Sequence, residues 1–206
     1  MPYRPTDRTR ARLAAAREAI VAAALDQLAD GGYASASVVT VARRAGVATG
    51  TVYRHFPSKS DLFAEVFRRA SQREVDVLSA VRGETVGARL AGMVEAFVRR
   101  ALAEPVRAYA LIAEPVDPVV ESERLTFRRA YAALFARAVA DGADRGELPA
   151  QDAELSAAAI VGALAEALVG PLARRDTGAD ALAAGLQQFV LNATGAHERQ
   201  PQPALP

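Results

Sequence analysis

Apolar residues recur along almost the whole chain at intervals of three and four, the spacing that gathers them on one side of an α-helix. No run alternates apolar and polar positions with the β-branched density and paired turns that a sheet needs. The pattern predicts an all-α protein of roughly nine helices. The first covers about residues 8–30, with Ile20, Ala24 and Leu28 on one face and Gly31-Gly32 as its stop. The second starts behind Ser37 and ends at Ala45, and a short third covers about 49–55. The fourth begins after Pro57 with Ser58 as cap, buries Leu62, Phe63, Val66, Phe67 and Ala70, and runs to about residue 81. A fifth reaches Ala103, a sixth covers 105–113, and a seventh covers 118–140, after the break Glu114-Pro115-Val116-Asp117-Pro118. Residues 141–148 read as an acidic, glycine-bearing loop. An eighth helix is expected over 152–170, stopped by Gly170-Pro171, and a ninth over 179–194. Both chain ends are rich in proline and should be loose.

The second and third helices carry the chemistry. Val38, Val41, Ala42 and Ala45 stand at i, i+3, i+4 and i+7, which turns them inward and leaves Thr40, Arg43 and Arg44 outward, equally suited to a phosphate contact or to a solvated face. Gly46 permits a tight left-handed turn, Val47 stays buried, and a new helix starts at Thr49 after three connecting residues, the spacing of a helix-turn-helix. On that helix Val52 and Phe56 point in. At 100° per residue, Gly50 and Arg54 then project outward with Thr51 and Tyr53 beside them. Gly50 lets a backbone come close, Thr49 and Thr51 can bond phosphate or base edges, Tyr53 can touch a phosphate or a thymine methyl, and Arg54 can fork onto guanine or phosphate. His55 and Lys59 lie at the far end, where a donor and a cation would clamp the sugar-phosphate backbone. A helix-turn-helix over residues 37–59 is thus a candidate reader of DNA, with Ser37 at its entry.

The run Gly46-Val47-Ala48-Thr49-Gly50-Thr51-Val52-Tyr53-Arg54-His55-Phe56-Pro57-Ser58-Lys59 resembles the signature of the TetR (tetracycline-repressor-like) family. Gly32-Tyr33 before it and Leu62-Phe63 after it also fall where that family has them, so the resemblance covers roughly residues 14–72. Ala48 departs from it, since the family often has serine or threonine there, and this puts in doubt a phosphate contact from the turn. The resemblance implies an N-terminal three-helix DNA-binding domain followed by a larger helical ligand-binding and dimerisation domain. It divides the chain into a flexible basic arm (1–13), a DNA-binding domain (14–72), an effector and dimerisation domain (73–196) and a tail (197–206). Arg4, Arg8, Arg10 and Arg12 of the arm could enter a minor groove, with a loose tail the favoured reading of Arg4.

Composition adds an asymmetry. Lys and Arg outnumber Asp and Glu by 12 to 6 over residues 1–73, while the balance is 13 to 18 over residues 74–206. A basic front suits a polyanion, because each neutralised phosphate releases condensed counterions. No cysteine is present and no secretory signal pattern opens the chain, so a cytoplasmic protein without disulfides is expected. The most apolar stretch, residues 157–172, carries Glu166 and two glycines, and no membrane partner is expected.

For the larger half, the resemblance implies that the last two helices pair with their copies in a four-helix dimer interface. Ile160, Val161, Leu164 and Leu168 on one helix and Leu182, Leu186 and Phe189 on the other are the candidates. Helices four to eight would enclose a pocket for an unknown small-molecule effector. Phe97, Tyr109, Phe127, Tyr131 and Phe135, with Arg128 among them, are candidates for its lining, although plain core is the favoured reading of each. Effector binding would swing the fourth helix and separate two reading heads. The expected partners are a palindromic operator, a second copy and that effector, with no cofactor and no metal; repression is preferred over activation.

Enzymatic chemistry is opposed by the residues themselves. His55 and His197 are the only histidines, and no serine or carboxylate pair stands near a base at a recognisable spacing. Glu114, Asp117, Glu121 and Glu123 straddle a proline-rich break and read as caps and solvated charge rather than a metal site. A purely structural helical module leaves Thr49, Tyr53, Arg54 and Lys59, expected to be exposed, without a purpose.

Overall fold

A computed structural model describes residues 6–175 and 178–196. Among the described residues the chain is all-α: α1 (Asp7–Gly31), α2 (Val38–Arg44), α3 (Thr49–His55), α4 (Lys59–Ala80), α5 (Val86–Ala103), α6 (Pro105–Ile112), α7 (Pro118–Asp144), α8 (Ala153–Arg174) and α9 (Ala179–Thr194). Their starts follow local capping chemistry. The Thr6, Thr85 and Asp152 side chains accept the N–H groups of Thr9, Ala88 and Leu155, and the Ser58 hydroxyl accepts that of Asp61 at 3.0 Å.

Two helix ends differ from the sequence expectation. Helix α1 starts at Asp7 behind its Thr6 cap, next to the expected residue 8, so Arg8, Arg10 and Arg12 are helical; Arg4 and the tail from 197 lie outside the described residues. Helix α7 passes through the expected loop start at Asp141 to Asp144, because the turn closes later: Glu147 and Leu148 both donate N–H to Gly142 O. Helix α8 runs through Gly170-Pro171 to Arg174. A proline removes only one helical hydrogen bond this close to a helix end, and buried Leu172 anchors the final turn.

The chain folds as two compact units. Unit 1 comprises Met1–Gln72 together with Val106–Leu125, and unit 2 comprises Arg73–Pro105 with Thr126–Pro206. A segment from the second half of the chain thus belongs to the first unit. Unit 1 has a core of Ile20, Ala24 and Leu28 from α1, Val41 from α2, Val52 from α3 and Leu62, Phe63, Val66 and Phe67 from α4, joined by Ala110 and Val120. Such packing supplies most of the stability of helices as short as α2 and α3, which would not hold alone in water.

In unit 2, α5 packs along α9 and against α8. Its buried residues include Leu90, Val94 and Val98 of α5, Leu164 and Leu168 of α8, and Val190 of α9. The Gln187 side chain donates to Ala91 O at 3.0 Å, and Arg99 pairs with Asp180 at 2.8 Å, so α9 is pinned to α5 by polar as well as apolar contacts.

Candidate nucleic-acid interface

Helices α2 and α3 are joined through Gly46, whose φ of +67° is one that a side chain resists. The turn is closed by hydrogen bonds from Val47 N–H to Ala42 O at 3.0 Å and from Thr51 N–H to Ala48 O at 2.8 Å. Val52 is the buried side chain of α3, and Phe56 caps its end against the core with the Arg17 guanidinium 5.0 Å above its ring. The opposite face is thereby fixed outward. Gly50 has open space where a Cβ would stand, Tyr53 is 49% exposed and Arg54 is exposed. Thr49, Thr51 and Thr40 are half-buried at the edges of this face, and Ala48 is exposed in the turn.

The other expected contacts divide. Ser37 occupies the N-cap position of α2, yet its hydroxyl makes no cap hydrogen bond. Arg43 is exposed, whereas Arg44 is drawn into an ion pair with Asp30 at 2.7 Å. His55 is half-buried, with a buried Nε2 that lacks a hydrogen-bond partner. Lys59 is half-buried and turns back onto the protein: its Nζ donates to Tyr33 O at 3.2 Å and lies 4.3 Å from the centre of the Tyr33 ring and 5.9 Å from that of Phe63. Val39, 66% exposed on α2 and one turn before Arg43, was missed; the inward set Val38, Val41 and Ala42 already implied that it faces out. Beside this face lies a concavity of about 520 Å³, lined by Thr9, Arg12 and Leu13 of α1 and by Gly46, Val47, Thr51 and Arg54. Arg12 thus flanks the motif from within a helix rather than from a loose arm.

Two polar networks hold the motif in place. Buried Glu65 of α4 accepts from Arg17 at 3.2 Å and from Arg69 at 2.7 Å and pairs with Arg68; Arg69 also grips Glu18. The Arg69 guanidinium holds the Glu18 carboxyl below its usual range. The second network comes from the break between α6 and α7. Glu114 accepts the N–H of Tyr33 at 2.7 Å and of Ala34 at 2.9 Å, while Asp117 accepts from the Tyr33 hydroxyl and, at 2.8 Å, from Ser60. Gly32 has a φ of +74°, and a Cβ there would stand 2.7 Å from a Glu114 oxygen, so only glycine allows that approach. Burial and the Asp117 carboxylate push the Tyr33 phenol up to about 12, and those same hydrogen bonds hold Asp117 below the carboxylate range. Arg124 completes the segment: its guanidinium, 9% exposed, donates to Ala110 O at 3.1 Å and Glu114 O at 2.6 Å and pairs with Glu121. Glu114, Asp117 and Glu121 are therefore structural hydrogen-bond partners and not merely solvated charge.

In unit 2, Phe97 and Tyr131 meet edge to face with centroids 5.7 Å apart, and burial raises the Tyr131 phenol well above its ordinary range. Phe127 and Phe135 are buried and Arg128 is exposed; Tyr109 belongs to unit 1. Of the residues expected at a dimer interface, Ile160, Leu164, Leu168 and Leu186 point into the core of the single chain. Their spacing puts them on one face of α8 and of α9, packed within the chain. Val161 and Leu182 are half-buried, Phe189 is 48% exposed, and Leu155, not foreseen, is 68% exposed.

A helix-turn-helix with an exposed polar and cationic reading face, attached to a second all-α unit, defines a DNA-binding regulator architecture. The chain belongs to the TetR family: residues 20–66 match the description "Bacterial regulatory proteins, tetR family", and residues 83–168 match "Tetracyclin repressor-like, C-terminal domain". The HTH-type transcriptional repressor KstR of Mycobacterium tuberculosis is 35% identical over 131 residues, covering 61% of this chain and 59% of that repressor. The chain thus matches somewhat over half the length of this curated relative. The fold is shared with FadR of Bacillus subtilis, solved in complex with stearoyl-CoA (TM-score 0.73, 19% identity, 88% of this chain and 99% of that one). It is shared also with a tetR family transcription regulator of Shewanella sp. PV-4 (TM-score 0.66, 26% identity, 86% and 97%).

Proposed function

We propose that this protein is a ligand-released transcriptional repressor that reads a palindromic operator as a homodimer. The observation that carries the reading is the face of α3, where Gly50, Tyr53 and Arg54 project from a helix locked by Val52 and Phe56. Thr49, Thr51 and Arg43 extend that face, Ser37 offers a free hydroxyl to a phosphate, and Arg12 adds a cation at its rim. A helix of this kind lies in the major groove with Arg54 able to fork onto guanine.

A second copy is supported by α8. It is apolar and long enough to cross a bilayer, yet only 28% of its most apolar window is buried within the chain. Leu155 and Phe189 border a hollow of about 200 Å³ floored by Ala159 and Ile160, and the outward Gly162 of α8 and Gly185 of α9 leave room for close helix approach. Burying such a face against its copy lowers the free energy by about 25 cal/mol per Å² of apolar surface. A two-fold dimer then sets two reading helices roughly 34 Å or more apart, which calls for a palindrome. It would act in the cytoplasm, on the chromosome.

The effector reading is a small, largely apolar molecule held in unit 2 among residues such as Phe97 and Tyr131. The stearoyl-CoA bound by FadR of Bacillus subtilis makes acyl-CoA thioesters the first ligands to try. Such a ligand releases DNA only if it binds the DNA-incompetent state more tightly. The test is retardation of the protein's own promoter fragment at two salt concentrations, with and without stearoyl-CoA. Specific binding that falls steeply with salt is expected; equal affinity for random duplex would overturn the reading.

A further inference from the structure

The helix-turn-helix is bracketed by two short stretches, Tyr33-Ala34 before α2 and Lys59-Ser60 after α3, and one segment from the second half of the chain holds both. Glu114 takes the two backbone N–H groups at the entrance, at 2.7 and 2.9 Å. Asp117, three residues on, takes the Tyr33 hydroxyl at the entrance and the Ser60 hydroxyl at the exit, the latter at 2.8 Å. Tyr33 itself closes the ring from within: its carbonyl accepts from Lys59, and its ring meets Phe63 edge to face with centroids 5.4 Å apart. The segment is in turn anchored by Arg124, whose guanidinium donates to Ala110 O and Glu114 O.

We infer that Glu114 and Asp117 are positioning residues for DNA reading: by clamping the entrance and exit of the helix-turn-helix to one another, they fix the angle at which α3 is presented. The inference rests on the proposal that α3 reads DNA. Its chemical basis is direct. The stretch Tyr33-Ala34 belongs to no helix, so nothing in the helical ladders satisfies these two N–H groups. A carboxylate supplies two acceptors at once, at the separation of adjacent amides. With the carboxylates gone, the α1–α2 turn keeps its local hydrogen bonds, the Lys59 contact and the packing of Tyr33 but loses its hydrogen bonds to the 106–125 segment, and α2 and α3 can pivot together about it. The segment 106–125 is then a part of the reading head contributed by the half of the chain outside the motif, and any change that pulls Glu114 and Asp117 away loosens the head without touching α3.

The test compares Glu114→Gln, Asp117→Asn and Tyr33→Phe with wild type in the full-length protein. The probe is a duplex recovered from a random-sequence pool by selection on the wild-type protein, with an unselected duplex as reference. The expected result is a drop of roughly tenfold in the preference for the selected duplex in each variant, with the salt dependence of binding unchanged because the phosphate contacts remain. A role in stability alone would lower the active fraction for both duplexes equally and leave the preference intact, and that outcome overturns the inference. Should Glu114→Gln fail to fold by circular dichroism, Tyr33→Phe decides, since it removes only the hydroxyl held by Asp117. If wild type itself selects no duplex, the DNA reading fails; if wild type selects and the variants match it, this inference alone fails.

Discussion

Replacing Lys59 by methionine keeps the aliphatic stem and removes the ammonium, and two roles for that ammonium give opposite results. In the structure Nζ donates to Tyr33 O at 3.2 Å and stands 4.3 Å over the Tyr33 ring. A hydrogen bond from a charged donor contributes about 1.5–3 kcal/mol when well shielded. A cation over an aromatic face adds about 0.5–1 kcal/mol where water has access. Lys59 is half-buried, so the low end of each applies, and the total comes to about 2 kcal/mol. For a chain of this size that loss lowers the melting temperature by about 4–8 °C, provided that the two units melt together. Tyr33 O then keeps only the N–H of Ala36 at 3.1 Å, so amide exchange in the stretch from Tyr33 to Ser37 should accelerate. A lysine that instead contacts a phosphate contributes about 0.9 to the slope of log affinity against log salt. The measurements are calorimetric melting and that slope for wild type and Lys59→Met. A fall in stability with an unchanged slope is expected. A slope reduced by about 0.9 for each protomer, with melting unaffected, would refute the structural role and return Lys59 to the DNA contacts expected from sequence.

Arg54→Ala should weaken binding to a selected duplex by about 1–3 kcal/mol and relax base preference at one position of each half-site, as measured by competition with single-base variants; uniform weakening across all of them would place Arg54 on phosphate instead. Leu155→Glu combined with Phe189→Glu puts charge on the outward face of α8 and α9 while sparing the buried Ile160, Leu164 and Leu168; sedimentation should show monomers with unaltered helicity, and an intact dimer would move the interface elsewhere. The Tyr33 phenol, raised from 10.0 to about 12, contributes stability that is complete below pH 10 and lost as pH climbs towards 12, whereas Asp117, lowered, contributes above the ordinary carboxylate range and is lost in acid. Tyr33→Phe should therefore flatten the alkaline loss of stability between pH 10 and 12, and parallel curves for wild type and variant would contradict the assignment.

Spacing along the chain is enough to place the local architecture. Helix periodicity and caps located α3 at Thr49–His55 and α9 at Ala179–Thr194 as they are found, and the inward set Val38, Val41, Ala42 and Val52 was enough to orient Gly50, Tyr53 and Arg54 outward. These features follow from spacing along a single helix, so neighbours in sequence suffice to fix them. Long-range packing set the remaining features. Lys59 turned back to Tyr33, Arg44 to Asp30, and Glu114 and Asp117 to a stretch some 80 residues upstream. Ile160, Leu164, Leu168 and Leu186 took the inner face of helices whose two sides are both apolar, leaving Leu155 and Phe189 for the outer one. A charged side chain takes the nearest complementary group, and an apolar helix buries whichever face its neighbours meet. Both choices depend on how the chain closes over long separations, which no local pattern records.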